Sequence, residues 1–210
     1  MTQSEFWGLR RRWFAWGINQ VMKVYEPRIA DRKLQLFGGL EGRILEIGPG
    51  TGVNFKYLNP QVDWIGLEYN QYMFPYLAKE AGRYGIRHEL VQGSAQEMPL
   101  PDNSVDYVIG TLVLCSVPNP VQVLREIERV LKPGGRYVFV EHVAAESGTL
   151  TGMIQSVVKP LWCCCADGCH PDRKSWETIE TAGFAEVALD HFKLKFPVVS
   201  PHISGYALKG

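Results

Sequence analysis

The stretch ILEIGPGTGVNF, residues 44–55, is an apolar run closed by an acid, then three glycines, then a helix-like start. A run of that kind opens a nucleotide-binding strand–turn–helix unit. The dinucleotide fingerprint G-x-G-x-x-G demands a third glycine three residues after the second. Here Gly48 and Gly50 are followed by Gly52, and the demanded position is Val53. The acid at the strand end, Glu46, would also repel a pyrophosphate. A dinucleotide is not what this turn is built for.

Outward from the turn, residues 43–47, 64–68, 88–91, 105–110 and 136–143 read as strands. Helices are expected at 54–58, 72–82 and 120–131, the last stopped by Lys132-Pro133-Gly134-Gly135. This βαβα alternation predicts a parallel α/β sheet covered on both faces. Beyond it come a helix around 151–161, a cysteine-rich loop, a helix at 172–182, and strands near 186–193 and 203–208. The last two strands have only a loop between them and form an antiparallel hairpin at the sheet edge. Ahead of the sheet, residues 6–25 carry an apolar face (Phe6, Leu9, Trp13, Trp16, Val21, Val24) interrupted by Arg10, Arg11 and Arg12. They form an amphipathic helix, so that residues 1–30 make a helical cap and 31–210 the α/β domain.

Composition narrows the function. The 210 residues are 46% hydrophobic and 21% charged, a globular balance, and Lys+Arg and Asp+Glu are both 22. No global field attracts nucleic acid, and no nucleic-acid partner is expected. No apolar run reaches about 18 residues, so no membrane-spanning helix is predicted. The N-terminus has charge inside its apolar part and no small-residue cleavage site, which is not a secretory signal. Five cysteines without framework spacing suit a reducing cytoplasm.

A carboxylate beside the turn suits a cofactor with positive charge and no phosphate. S-adenosylmethionine, with its ammonium and sulfonium, has that sign. Glu68 ends the second strand, at the position where an acid accepts both ribose hydroxyls. The adenine would lie against Ala95, between the polar groups of Ser94 and Gln96. Thr111 and Leu112 arrive at the carboxyl end of the fourth strand, where open α/β sheets bind ligands. With Pro49, Gly52, Asn54 and Tyr69, these residues complete the expected cofactor site.

E-x-G-x-G-x-G at residues 46–52, the acid ending strand two, and VLKPGGR before strand five resemble the class I S-adenosylmethionine-dependent methyltransferases over residues 40–145. The resemblance implies a Rossmann-like seven-stranded sheet of order 3-2-1-4-5-7-6 with strand seven antiparallel. A narrower one, carried by TLVLCSV (111–117), EHVAAE (141–146), DGC (167–169), Trp176 and PHISGYALK (201–209), is to the methyltransferase-like 7 family of thiol S-methyltransferases. Its animal members begin with a hydrophobic membrane anchor, where this chain has an Arg- and Trp-rich helix. The resemblance implies methyl transfer to a small acceptor, a thiol or sulfide, leaving S-adenosylhomocysteine. A quinone or phospholipid-headgroup methyltransferase shares the same core motifs, and a silent cofactor-binding scaffold is the alternative of another class.

A thiol acceptor needs little beyond deprotonation, since the thiolate is the nucleophile. His142, Asp167, His170 and His202 are the candidate bases, and Cys169, within the family's DGC pattern, is expected to line the acceptor pocket with them. Cys115 lines the acceptor site or serves as a small core residue. The run Cys163–Cys164–Cys165 lacks the C-x₂-C pairs of zinc ribbons, so no metal is assigned. Residues 6–25 are read as a lid over the cleft or as a helix lying on a membrane surface. The oligomeric state is left open.

Overall fold

The structure, a computed structural model, describes residues 3–210, with side-chain detail from residue 8 onward. Seven strands, β1 (Arg43–Ile47), β2 (Asp63–Glu68), β3 (His88–Gln92), β4 (Val105–Thr111), β5 (Leu131–His142), β6 (Glu186–Lys193) and β7 (Pro201–Leu208), form one sheet. Their order is β3-β2-β1-β4-β5-β7-β6. β1 to β5 pair in parallel, and β7 runs antiparallel between β5 and β6.

The sheet is buried on both faces because its central strands are apolar at nearly every position. Successive side chains point to opposite faces. Leu45, Ile47, Val108, Tyr137 and Phe139 pack into one core with α4 (Pro120–Val130) and α6 (Ser175–Glu180). Ile44, Trp64, Ile109, Val138 and Val140 pack into the other, under α1 (Gln3–Tyr25), α2 (Ala30–Phe37) and α3 (Phe74–Tyr84). Local chemistry sets the ends. Asn119 caps α4 by accepting the amide of Gln122 at 3.1 Å, with Pro120 in the first turn, and Gly85 at φ 67° closes α3.

Several expectations change. α2 was not foreseen. The helix at 54–58 is a single 3₁₀ turn, Phe55–Tyr57, because Pro60 disfavours helical geometry just before it. β5 begins at Leu131, directly after α4, and absorbs the Pro-Gly-Gly segment across an irregular register with β4. The cysteine run is helix rather than loop: α5 spans Leu150–Cys165 and carries Pro160 inside it. The helix expected at 172–182 is the shorter α6.

α1 departs from a simple amphipath. Ala15, Met22 and Tyr25 are buried against the sheet. The apolar residues singled out in the sequence, Leu9, Trp13, Trp16, Val21 and Val24, lie on the exposed side. Phe6 belongs to that set but falls outside the described side chains. Trp13 and Trp16 meet edge to face at 6.0 Å with 67% and 55% of their surface open. Among the described residues, no helix is long and apolar enough to cross a membrane.

Candidate active site

The glycine turn is a cradle without side chains. Gly48, Gly50 and Gly52 sit at φ 56°, 57° and 78°, a region where a Cβ is strained. A Cβ at Gly48 would stand 3.0 Å from Val113 Cγ2, so this turn packs directly on the chain leaving β4. At Gly50 the same atom would reach no protein atom nearer than the Gly48 carbonyl at 4.0 Å, and within the protein only the backbone angle demands glycine there. Pro49 closes the turn by accepting the amide of Gly52 at 3.0 Å.

Two buried acids flank the turn. Glu46 accepts the side-chain NH₂ of Asn54 at 2.8 Å and the indole NH of Trp64 at 2.9 Å. Glu68 accepts the amides of Gly50 at 3.1 Å and Asn70 at 2.8 Å. Burial raises each to about 7 against those hydrogen bonds. Glu46 is thus enclosed by partners, while Glu68 joins the turn to the end of β2. Asn54 also donates to Thr111 Oγ1 at 3.1 Å, and its own Oδ1 is buried without a partner. Ser94 accepts the amide of Gln96 at 3.2 Å, and the Gln96 side chain accepts the amide of Asn119 at 2.7 Å. Gln96 therefore holds its loop to α4, while Ala95 packs on the adjoining core.

The segment after β4 links this cradle to a second cluster. Leu112 takes the left-handed conformation at φ 58°, uncommon for a residue with a side chain and typical of ligand-binding turns. Glu141 of β5 pins the next three residues, accepting the amides of Val113, Leu114 and Cys115 at 2.7, 2.9 and 3.4 Å. Cys115 then meets His142 and Cys169, their ligating atoms all within 4.8 Å of one another. His142 Nε2 lies 3.0 Å from Cys169 Sγ, and the Trp162 indole NH donates to the same sulfur at 3.3 Å. The Cys115 thiol, His142 and Trp162 together lower Cys169 to about 4, while Cys115 is raised by its bond to Cys169 and by burial.

His202 lies opposite His142 in the β5–β7 register. Its Nδ1 faces the Ser200 carbonyl at 3.0 Å and must carry the proton, which leaves a bare Nε2, buried and unpartnered. Burial lowers this ring to about 4, so it is neutral. His170 lies beside the cluster, its amide donating to the Cys115 carbonyl at 2.8 Å.

α1 crosses the same edge of the sheet. Arg10 donates to the Cys164 carbonyl at 2.6 Å, the Arg11 carbonyl accepts from Asn70 at 3.2 Å, and the Arg11 guanidinium lies 5.1 Å from the Tyr69 ring. A Cβ at Gly8 would stand 3.2 Å from the Tyr72 hydroxyl. Asp167, at φ 52°, is raised by burial and drawn back by Arg10 and Arg11. Its own charge in turn raises Glu68. Thus α1, the loop after α5 and the end of β2 meet over the cradle. A separate cavity of about 480 Å³ between α1 and α3 touches the turn only at residues 51–53 and includes neither Glu68 nor residues 94–96. It is not where the cradle directs a cofactor.

Sequence reasoning missed Glu141, Trp64 and Trp162 as working groups. Only the acid directly before His142 gave a signal, as part of the EHVAAE motif.

The residues fit S-adenosylmethionine: a cradle a Cβ would fill, two acids, and no basic residue in the turn. A family model described as a methyltransferase domain matches residues 45–139. The human thiol S-methyltransferase TMT1A is 37% identical over 95% of this chain and 87% of its own. TMT1B of Rattus norvegicus is 40% identical over 87% of this chain and 80% of its own. A solved SAM-dependent methyltransferase from Methanosarcina mazei has a TM-score of 0.65 at 17% identity, covering 80% of this chain and 92% of its own. This chain belongs to the family of S-adenosylmethionine-dependent methyltransferases that contains those thiol S-methyltransferases.

Proposed function

We infer that the acceptor is a small apolar thiol or sulfide, taken at the face formed by Cys115, His142, Cys169 and His202. The observation that carries this reading is the cluster's position: the five residues from Thr111 to Cys115 lead from the cofactor cradle to a thiolate-stabilising group of buried sulfur and imidazole. No pair of acids suited to activating a hydroxyl accompanies it among the described residues.

S-adenosylmethionine supplies, when bound, a methyl group already activated by its sulfonium charge. Gly48, Gly50 and Gly52 leave room for it, Glu68 accepts from its ribose hydroxyls, and Glu46 holds Asn54 and Trp64 in place beside it. Ser94, Ala95 and Tyr69 flank its base. Glu141 fixes Leu112 to Cys115 so that donor and acceptor sites keep one spacing, which is most of what an in-line transfer requires. His202 Nε2 offers a lone pair for the departing thiol proton. α1, through Arg10 and Arg11, excludes water from the cleft, and the charge of Asp167 attracts those arginines.

The exposed side of α1 and an apolar stripe on α5 (Leu150, Met153, Val157 and Leu161, with Val157 80% open) support contact with a membrane surface. Incubation with labelled S-adenosylmethionine and a panel of sulfide, alkyl thiols, selenols, phenols and phosphatidylethanolamine tests the acceptor. Thiols should dominate. Faster turnover of phenols or phosphatidylethanolamine overturns the thiol reading.

A further inference from the structure

The convergence of Cys115, His142 and Cys169 is more than a hydrophobic pocket needs. They come from three places: the turn after β4, the end of β5, and the loop after α5. All three are buried, and their ligating atoms lie within 4.8 Å of one another. Two sulfurs and an imidazole nitrogen form the Cys₂His donor set of catalytic zinc, with tetrahedral ligand atoms roughly 3.5–4 Å apart. Closing the cluster on an ion therefore takes shifts of less than about 1 Å. Outer groups hold two of the three ligands, while the second ring nitrogen of His142, Nδ1, is buried without a partner. The Trp162 indole NH points at Cys169 Sγ, the kind of bond that steadies a ligating thiolate. The Cys115 backbone is fixed by Glu141 on one side, and its carbonyl by the His170 amide on the other.

We propose that Cys115, His142 and Cys169 bind one zinc ion, whose fourth position receives the acceptor thiol as thiolate. The site itself stands on this geometry; the role of its fourth position rests on the thiol reading above. Both cysteines bind as thiolates, Cys115 giving up its contact of 3.3 Å to the Leu112 carbonyl as its proton leaves to solvent. His142 binds through Nε2. Two thiolates balance the ion's charge, so the site is neutral until the substrate S–H gives its proton to His202 Nε2 and its sulfur lone pair to the metal. A methylated product is a neutral thioether, a far weaker ligand, and it leaves. The run at Cys163–Cys165, exposed at Cys164 and Cys165 and half-buried at Cys163, plays no part, since neighbouring residues on one helical turn cannot aim three sulfurs at one ion.

The test is metal content and cobalt substitution in the full chain, purified with a phosphine reductant and no chelator. About one zinc per chain is expected. The cobalt form should show sulfur-to-metal charge transfer and the intense d–d bands of a four-coordinate site, and a small alkyl thiol should shift those bands. Replacing Cys163, Cys164 and Cys165 with serine should leave the spectrum intact. Cys169→Ser and Cys115→Ser should each lose it while still binding S-adenosylmethionine. Wild-type protein that binds S-adenosylmethionine yet carries neither zinc nor a cobalt band overturns the site, even if thiols are methylated. A cobalt spectrum indifferent to thiols overturns the role of the fourth position. Methylation of phenols in preference to thiols by the zinc-loaded protein instead removes the thiol reading.

Discussion

The carboxylate of Glu141 stands 2.7 Å from the backbone nitrogen of Val113 and also holds the two amides after it. One buried acid thus fixes the segment that carries Leu112, at φ 58°, on one side and Cys115 on the other. Glu141→Ala would orphan three amides and should cost roughly 3 kcal/mol or more. Glu141→Gln keeps the oxygen facing Val113 and Leu114 but turns an NH₂ toward the Cys115 amide, for about 1–3 kcal/mol. Denaturant unfolding and steady-state kinetics check both. Turnover should fall more than cofactor affinity, and an unchanged unfolding midpoint in Glu141→Ala would show that the tie carries nothing.

At the cradle, Gly48→Val drives a branched side chain into Val113 at a left-handed backbone position and should abolish cofactor binding. Gly50→Ala comes no nearer to the protein than 4.0 Å from the Gly48 carbonyl, and should weaken binding through backbone strain and through the methyl it places in the cofactor's room, by roughly 1–2 kcal/mol or more. Glu68→Ala should cost roughly 1–3 kcal/mol through lost ribose bonds. Calorimetry measures all three, together with NAD, which should not bind. NAD binding, or full affinity in Gly48→Val, would remove the assignment of this turn.

These elements differ in how far the sequence exposed them. β1 is bounded by an apolar run and three glycines, and its range was legible to the residue. The β6–β7 edge followed from two strands without room for a crossover. α2 was hidden because Lys33, in the middle of a charged-looking stretch, is fully buried and paired with Glu26. The end of α5 was misread because consecutive cysteines resemble a loop motif, whereas a cysteine in a helix is a small apolar residue. At the site, Glu68 and the glycines have fixed spacing and could be found. The meeting of Cys115 with His142 and Cys169 has none, since 27 residues separate each from the next, and only the folded sheet brings them together.

The buried acids give the molecule a pH dependence of definite sign. Glu46, Glu68 and Glu141 are each raised to about 7, first by burial, whereas an unfolded glutamate ionises near 4.3. Their contribution to stability is full below that value and is lost as pH rises through 7. His202, lowered to about 4, works the other way up to about 6.5. The cofactor-free protein should therefore lose melting temperature as pH rises from about 4.3 to about 7, the three acids outweighing His202 and the lowered Cys169 thiol, which work the other way. A cationic cofactor favours the ionised acids, so its binding near pH 7 should release protons and tighten as pH rises. Calorimetry in buffers of different ionisation enthalpy reads that release directly. Proton uptake would contradict the roles of Glu46 and Glu68.

The last prediction separates the two uses of α1. Deleting the helix cannot do so, because Met22 and Tyr25 leave the core with it, at roughly 1.5–3 kcal/mol for each large apolar side chain. Point changes on opposite sides of the helix can. Trp13→Ser with Trp16→Ser removes exposed apolar surface and touches no part of the cleft. If that side rests on a membrane, the double variant should methylate soluble thiols normally but no longer sediment with anionic liposomes. High salt should weaken the wild-type association, since Arg12 lies exposed beside the tryptophans. Arg10→Ala acts on the inner side by cutting the bond to the Cys164 carbonyl. If α1 closes the cleft, this variant should bind the cofactor with little change and lose several-fold in turnover through admitted water and loosened positioning. Normal turnover in Arg10→Ala removes the lid. Normal sedimentation of the tryptophan variant removes the membrane contact. Both effects together would mean that one helix closes the site with one side and docks with the other.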